Sequence, residues 1–135
     1  MKKTRVLVVD DDVDARELLS LVLSQAGFQV DDAPDGFAAL AKVSHVRPDA
    51  VLTDLRMPGM DGMTVLEMMK SRWPESEVVI VTGYPSVETA KQAVRLGAFD
   101  YLEKPVGPDE IIGAARGAIT RKQWAMRDHM TRSIS

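Results

Sequence analysis

The chain has no cysteine. This removes disulfide frameworks and thiolate metal sites, and it favours a reducing compartment, so the cytoplasm is the expected location. No apolar run approaches the roughly 18 residues that a membrane span needs, and the apolar stretch in "MKKTRVLVVDDD" is too short for a secretory signal. Membrane partners are therefore not expected. Neither G-x-G-x-x-G nor G-x-x-x-x-G-K-S/T occurs, so the glycine-rich loops that cradle nucleotide phosphates are missing. Low-complexity segments and long internal linkers are absent as well.

What is present fits one ordinary domain: 135 residues, 45% hydrophobic and 27% charged. The net charge of -3 is unevenly spread. Residues 1–115 carry 12 Lys+Arg against 19 Asp+Glu, which gives -7, and residues 116–135 carry 5 against 1, which gives +4. An acidic body argues against direct nucleic-acid binding, and the basic tail lacks the aromatic interleaving of a nucleic-acid surface.

Five short runs read as strands: "RVLVV", "FQVDDA", "AVLT", "VVIVT" and "YLE". Helical periodicity fills the gaps between them. Leu18, Leu21, Val22, Gln25 and Ala26 mark a first helix that ends at Gly27, Phe37, Leu40 and Ala41 a second, and Met63, Leu66 and Met69 a third. Val87, Ala90 and Val94 mark a fourth, capped by Ser86 and ended by Gly97, and Pro108 opens a fifth through Ile111, Ile112, Ala115 and Ile119. Strict alternation predicts an α/β fold, a doubly wound five-stranded parallel sheet with five helices on both faces. After Arg121 the chain either prolongs the fifth helix, with Ile112, Ile119 and Met126 as a sparse seven-residue series, or frays. Lys122 and His129 at the other seam positions speak against a strong coiled coil.

Ligands of open α/β sheets sit outside the carboxyl ends of the strands. Strand 1 ends on Asp10, Asp11 and Asp12, strand 3 on Asp54, strand 4 on Thr82 and Gly83, and Lys104 and Pro105 follow strand 5. A single Asp before a helix is usually a cap, and Asp12 fits that role. Three in a row exceed it. Two carboxylates about 4 Å apart repel by roughly 4 kcal/mol at a protein surface. Such a cluster raises a pKa or holds a hard cation, and Mg2+ (or Mn2+), with its incomplete shell of oxygen ligands, suits it. A strand-end carboxylate beside a dication and an ammonium is arranged to attack phosphorus, with Asp54 as nucleophile and Thr82 and Lys104 holding the other oxygens. Pro58, Gly59 and Gly62 would keep Asp54 reachable. Taken singly, Thr82 is an ordinary strand residue, Lys104 a solvated cation and Tyr101 a core aromatic.

The stretches "VLVVDDD", "DLRMPGMDG", "VTGYPSVETA" and "GAFDYLEKP" together resemble the response-regulator receiver domains of two-component signalling, over about residues 4–122. The resemblance implies a flavodoxin-like receiver fold over residues 1–122, with residues 123–135 as a helical extension or the start of a linker. It implies Asp54 as phosphoacceptor, with Mg2+ held by the side chains of Asp11 and Asp54, by the Arg56 backbone carbonyl and, mostly through water, by Asp10. Thr82 would bond the phosphoryl group, Gly83 would leave access, and Lys104 would pair with a phosphoryl oxygen. The Lys104–Pro105 bond would be cis and Tyr101 the aromatic switch, with its effect on helix 4, strand 5 and helix 5. Val106 stands where the family often has Phe. The implied partners are a sensor histidine kinase or a histidine phosphotransfer protein, and a second copy bound through the helix 4–strand 5–helix 5 surface. The implied protein is not an enzyme but a phosphoacceptor that slowly dephosphorylates itself. His45 and His129 are poorly placed to pass phosphate on. "TGYPSVETA" and "GAFDYLEKP" are similar to receivers that precede ATPase-type transcription activators, so the chain reads as a lone receiver or as a piece of a longer regulator.

Three rivals remain. A magnesium-dependent phosphohydrolase of the haloacid-dehalogenase type would need an acid where Arg56 stands. A flavodoxin-like cofactor binder would need a Gly, Ser or Thr-rich first loop in place of Asp10 to Asp12, and a non-phosphorylated docking receiver would have lost Asp54, the acidic pair or Lys104.

Overall fold

The computed structural model describes the backbone of residues 3–134 and side chains as far as Trp124. Strands and helices alternate as β1 Arg5–Val9, α1 Val13–Gln25, β2 Gln29–Ala33, α2 Gly36–His45, β3 Ala50–Thr53, α3 Gly62–Arg72, β4 Glu77–Thr82, α4 Val87–Arg95, β5 Asp100–Glu103 and α5 Pro108–Ile134. The strands form one parallel sheet in the order β2-β1-β3-β4-β5. The chain thus reverses direction across the sheet between β1 and β3, where doubly wound folds open a crevice.

Successive strand residues point to opposite faces and divide the core in two. Leu7, Val9, Val51, Val78 and Ile80 pack under α2, α3 and α4, together with Leu40, Val43, Leu66 and Met69. Val6, Val8, Leu52, Val79 and Val81 pack under α1 and α5, together with Leu23, Ile111, Ala115 and Ile119. The central strands β3 and β4 are buried along their whole length, and the edge strand β2 is only partly covered. Continuous apolar runs against mixed ones mark the same distinction in the sequence.

Two helices bury a face rotated from the one their periodicity suggested, keeping Val22 and Ala26 in α1 and Leu40 in α2, and a third turns its valines to solvent. In α1, Leu18 and Leu21 are exposed, whereas Leu23 is buried and Leu19, Val22 and Ala26 pack against the core. Leucine or valine occupies five of the six positions from 18 to 23, so the apolar pattern has two solutions and only the sheet selects one. In α2, Ala39, Leu40 and Val43 are buried and Phe37 is 63% exposed. In α4 the expected face is turned outward: Val87 and Val94 are each 73% exposed, and Ala93 alone in that helix is buried.

The caps follow the sequence more closely. The carboxylate of Asp12 accepts the Asp14 N–H at the start of α1, and the Ser86 hydroxyl accepts the Thr89 N–H at the start of α4. α5 continues as one helix beyond residue 122, the first of the two courses the sequence left open after Arg121. The side chains of Met126 and His129 lie outside the described residues. Among the described residues no helix is long and apolar enough to cross a membrane.

Candidate functional site

The site is built at the carboxyl ends of β1, β3, β4 and β5. Asp10 follows β1 and is drawn toward β2 by the bond from its N–H to the Ala33 carbonyl, 3.2 Å. Asp54 follows β3, and its N–H donates to the Val9 carbonyl at 2.8 Å. These two ladder bonds continue the sheet by one residue on each side of β1 and bring two carboxylates to the crevice. Asp10 is 1% exposed, the Asp54 side chain 11%.

Lys104 reaches the pair from the far side. Its N–H donates to the Thr82 carbonyl at 2.8 Å, which places it just beyond β5, and the Lys104–Pro105 peptide is cis, as expected. Its ammonium lies 2.7 Å from Asp10 Oδ2 and 3.4 Å from Asp54 Oδ2. Asp11 is exposed at the rim, and one carboxylate oxygen from each of Asp10, Asp11 and Asp54 lies within 4.8 Å of the others.

Three acids face one ammonium here, and the protonation equilibria register the surplus. Burial pushes the Asp54 carboxyl above the ordinary range, the Lys104 ammonium pulls it back, and the charge of Asp10 pushes it up again. Burial alone would lower Lys104, but its bond to Asp10 and the charges of Asp10 and Asp54 hold it above the usual lysine value. The donor set of hard, closely spaced carboxylate oxygens fits a magnesium-sized dication, which would relieve this repulsion.

The loop after Asp54 is shaped by two glycines. Gly59 has φ +79°, a left-handed conformation that side chains rarely adopt, and a Cβ on Gly62 would lie 2.0 Å from the Asp54 carbonyl oxygen. Gly62 can therefore donate its N–H to the Leu55 carbonyl at 2.8 Å, folding the loop tightly against the end of β3. Asp54 Oδ1 accepts the Leu55 N–H at 2.7 Å and the Arg56 N–H at 3.4 Å. These bonds orient the carboxylate while Pro58 and Gly59 stay exposed.

Thr82 ends β4 fully buried, and its Oγ1 accepts the Tyr84 N–H at 3.0 Å. A Cβ at Gly83 would meet nothing within 4 Å, so packing does not demand glycine there. Tyr101 lies half-buried on β5 against the α4 side of the core, with its hydroxyl 2.7 Å from Thr89 Oγ1 and accepting the Ser86 N–H at 3.3 Å.

Three sets of contacts around the site escaped the sequence. Arg16 donates through Nη1 to the Asp10 carbonyl at 2.8 Å and pairs with Asp32 at 3.3 Å. The Arg56 side chain is exposed, yet its guanidinium lies 4.3 Å from the centre of the Tyr84 ring, a cation–π contact between the loops after β3 and β4. Thr89 and Ser86 hold the Tyr101 hydroxyl. None of these contacts leaves a signal in the one-dimensional pattern, because each depends on how separate elements fold together and is made by a residue common on any surface.

Comparison with known proteins agrees with this geometry. The family model described as "Response regulator receiver domain" matches residues 6–116. Regulatory protein AtoC of Escherichia coli (strain K12) is 43% identical over 107 residues, covering 79% of this chain and 23% of that protein. The DNA-binding transcriptional regulator NtrC of Salmonella typhimurium is 39% identical over 123 residues, covering 91% and 26%. The chain therefore spans about a quarter of the length of these curated relatives. Among solved structures, a response regulator receiver domain protein from Clostridium thermocellum aligns with a TM-score of 0.85 at 31% identity, covering 90% of this chain and 98% of that one.

Proposed function

The chain belongs to the response regulator receiver family of two-component signalling, and we propose that within it Asp54 is the phosphoacceptor. The observation that carries this is the meeting of Asp10, Asp11, Asp54 and Lys104 from three strand ends, with more acid than the lone ammonium balances. An oxygen of the Asp54 carboxylate forms a bond to the phosphorus of a phosphohistidine, the P–N bond breaks, and the donor imidazole leaves with the electron pair. Lys104 pairs with a phosphoryl oxygen, and Thr82, buried two residues before Tyr84, turns its hydroxyl to another. Gly83 keeps the approach open. The side chains of Asp11 and Asp54, the Arg56 carbonyl and, through water, Asp10 would hold Mg2+ or Mn2+, which when bound neutralises charge on the phosphoryl oxygens.

The donor is a sensor histidine kinase or a histidine phosphotransfer protein. A docking surface for its helices adjoins the acids: Ala15, Leu18 and Leu19 of α1 and Pro105 and Val106 line a groove of about 360 Å3 that also reaches Lys104. Leu18 is 59% exposed, so the leucine that periodicity assigned to the core is available to a partner. On phosphorylation Thr82 moves, Tyr101 turns inward, and the surface of α4, β5 and α5 changes. That surface includes the exposed Val87 and Val94 and could join two copies of the chain. Residues 1–122 act as the receiver, and residues 123–135 are a helical extension or the start of a linker. The protein turns over no external substrate beyond slow loss of its own acyl phosphate, works in the cytoplasm, and does not itself contact nucleic acid.

Intact mass after incubation with acetyl phosphate and Mg2+ tests the chemistry. A single phosphoryl adduct that needs the metal and is absent in Asp54→Asn is expected. An adduct of equal yield in the variant, or steady hydrolysis of a phosphate ester, overturns the proposal.

A further inference from the structure

The loop of residues 83–86 between β4 and α4 is pinned at both ends by hydroxyl groups. At one end Thr82 Oγ1 accepts the Tyr84 N–H. At the other the Tyr101 hydroxyl accepts the Ser86 N–H at 3.3 Å and lies 2.7 Å from Thr89 Oγ1. Thr89 Oγ1 is also 2.8 Å from Ser86 Oγ, so three hydroxyls from β5 and the first turn of α4 form one network. A half-buried tyrosine keeps its hydroxyl bonded. Here both of its partners come from a single turn of one helix.

That helix has little else to hold it. Only Ala93 of α4 is buried, and Val87 and Val94 face outward. Where apolar packing is thin, the hydrogen bonds of the first turn take a larger share in fixing the position of the helix. Any turn of Tyr101 away from this position must break the bond to Thr89 and free the Ser86 N–H, just as a shift of Thr82 away from Tyr84 must free the Tyr84 N–H.

We propose that Thr89 is a positioning residue that tethers the Tyr101 hydroxyl to α4 and thereby sets how much of the unphosphorylated protein already occupies the switched conformation. This rests on the Tyr101 switch described above and adds to it a second hydroxyl that opposes the switch. Thr89→Val keeps the β-branched shape and the backbone N–H that the Ser86 cap uses, and removes only the hydroxyl. The hydroxyl also meets Ser86 Oγ and the Ser86 carbonyl, contacts internal to the turn; losing the one to Tyr101, a neutral hydrogen bond of ordinary strength, should raise the resting population of the switched state about fivefold.

Amide NMR spectra of wild type, T89V, T89S, Y101F and the T89V/Y101F double variant, without a phosphodonor and then with acetyl phosphate and Mg2+, provide the test. Without donor, the T89V resonances of residues 84–95 should move part of the way toward their positions in phosphorylated wild type. T89S, which restores the hydroxyl, should overlay on wild type, and the double variant should match Y101F. The tether is overturned if T89V overlays on wild type, or if the T89V displacement is undiminished in the Y101F background, which would assign it to the helix cap. If wild type gains its adduct but none of these resonances move, the switch itself fails and the tether with it. If wild type moves on phosphorylation and T89V without donor does not, the tether alone fails.

Discussion

The two ends of the sheet both gather charge, and they do so differently. At the amino end Asp49 accepts from the Arg5 N–H and pairs with Lys122, while Glu77, 5% exposed, pairs with Lys70 at 2.8 Å and with Arg121 at 3.2 Å. Each acid there has its own cation, and two of those cations belong to α5, so the pairs fasten that helix to the start of the sheet. At the carboxyl end Asp10 and Asp54 share Lys104, and Asp11 brings a third carboxylate within 4.8 Å of theirs. Balanced charge is what a fold needs for itself; a surplus of one sign held in place by backbone bonds is a standing demand for a ligand. Counting acids would not separate the two ends, whereas counting their partners does.

Breaking one pair at each end should give effects of opposite sign. Glu77→Ala leaves the Lys70 ammonium, 19% exposed, without its acid. A loss of about 2 kcal/mol in urea unfolding is expected, below the full cost of a truly buried pair because both cations can turn to water. A smaller loss than that of a surface pair would mean that the amino end is not a fastening at all. Adding Mg2+ at ten times its dissociation constant should stabilise the wild type by about 1.4 kcal/mol by mass action. The same increment should survive in Glu77→Ala and vanish in Asp11→Asn, which confines the effect to the carboxyl end.

Removing a charge at that end should help the fold. In chelator, Asp54→Asn should unfold about 1 kcal/mol later than wild type, as relief of a strained functional site commonly gives. The sign follows from the raised Asp54 carboxyl, whose causes are burial first and then the charge of Asp10 against the pull of Lys104. A folded value above the unfolded 3.8 means that the native state binds the extra proton. The wild type therefore gains stability relative to the variant as pH falls through the folded value toward 3.8, and the advantage of Asp54→Asn shrinks in acid. This is the smallest of the expected changes, and parallel stability–pH curves for the two proteins would contradict it.

The parallel sheet was legible because β3 and β4 are covered on both faces and so are written as unbroken apolar runs. The acids were legible because each follows such a run directly, and strand ends are where open sheets bind. The helix faces were less so. Met63, Leu66 and Met69 of α3 are buried as their spacing predicts, since that helix is apolar on one side only. α1 is leucine-rich nearly all round, and α4 carries valines on its outer face, so periodicity had no means of telling a core stripe from a docking stripe. The contacts of Arg16, Arg56 and Thr89 were not legible at all.

Order along the chain was enough to determine the alternation of strands and helices, the strand-end residues and the caps, because each depends on neighbours within a turn or a strand. Only the assembled sheet decided which side of α1 and α4 faces water, which cation answers which acid, and that the hydroxyl of Tyr101 rests on Thr89. Those outcomes depend on distances between residues up to 94 positions apart, as for Lys104 and Asp10, and such distances exist only once the hydrophobic core has closed.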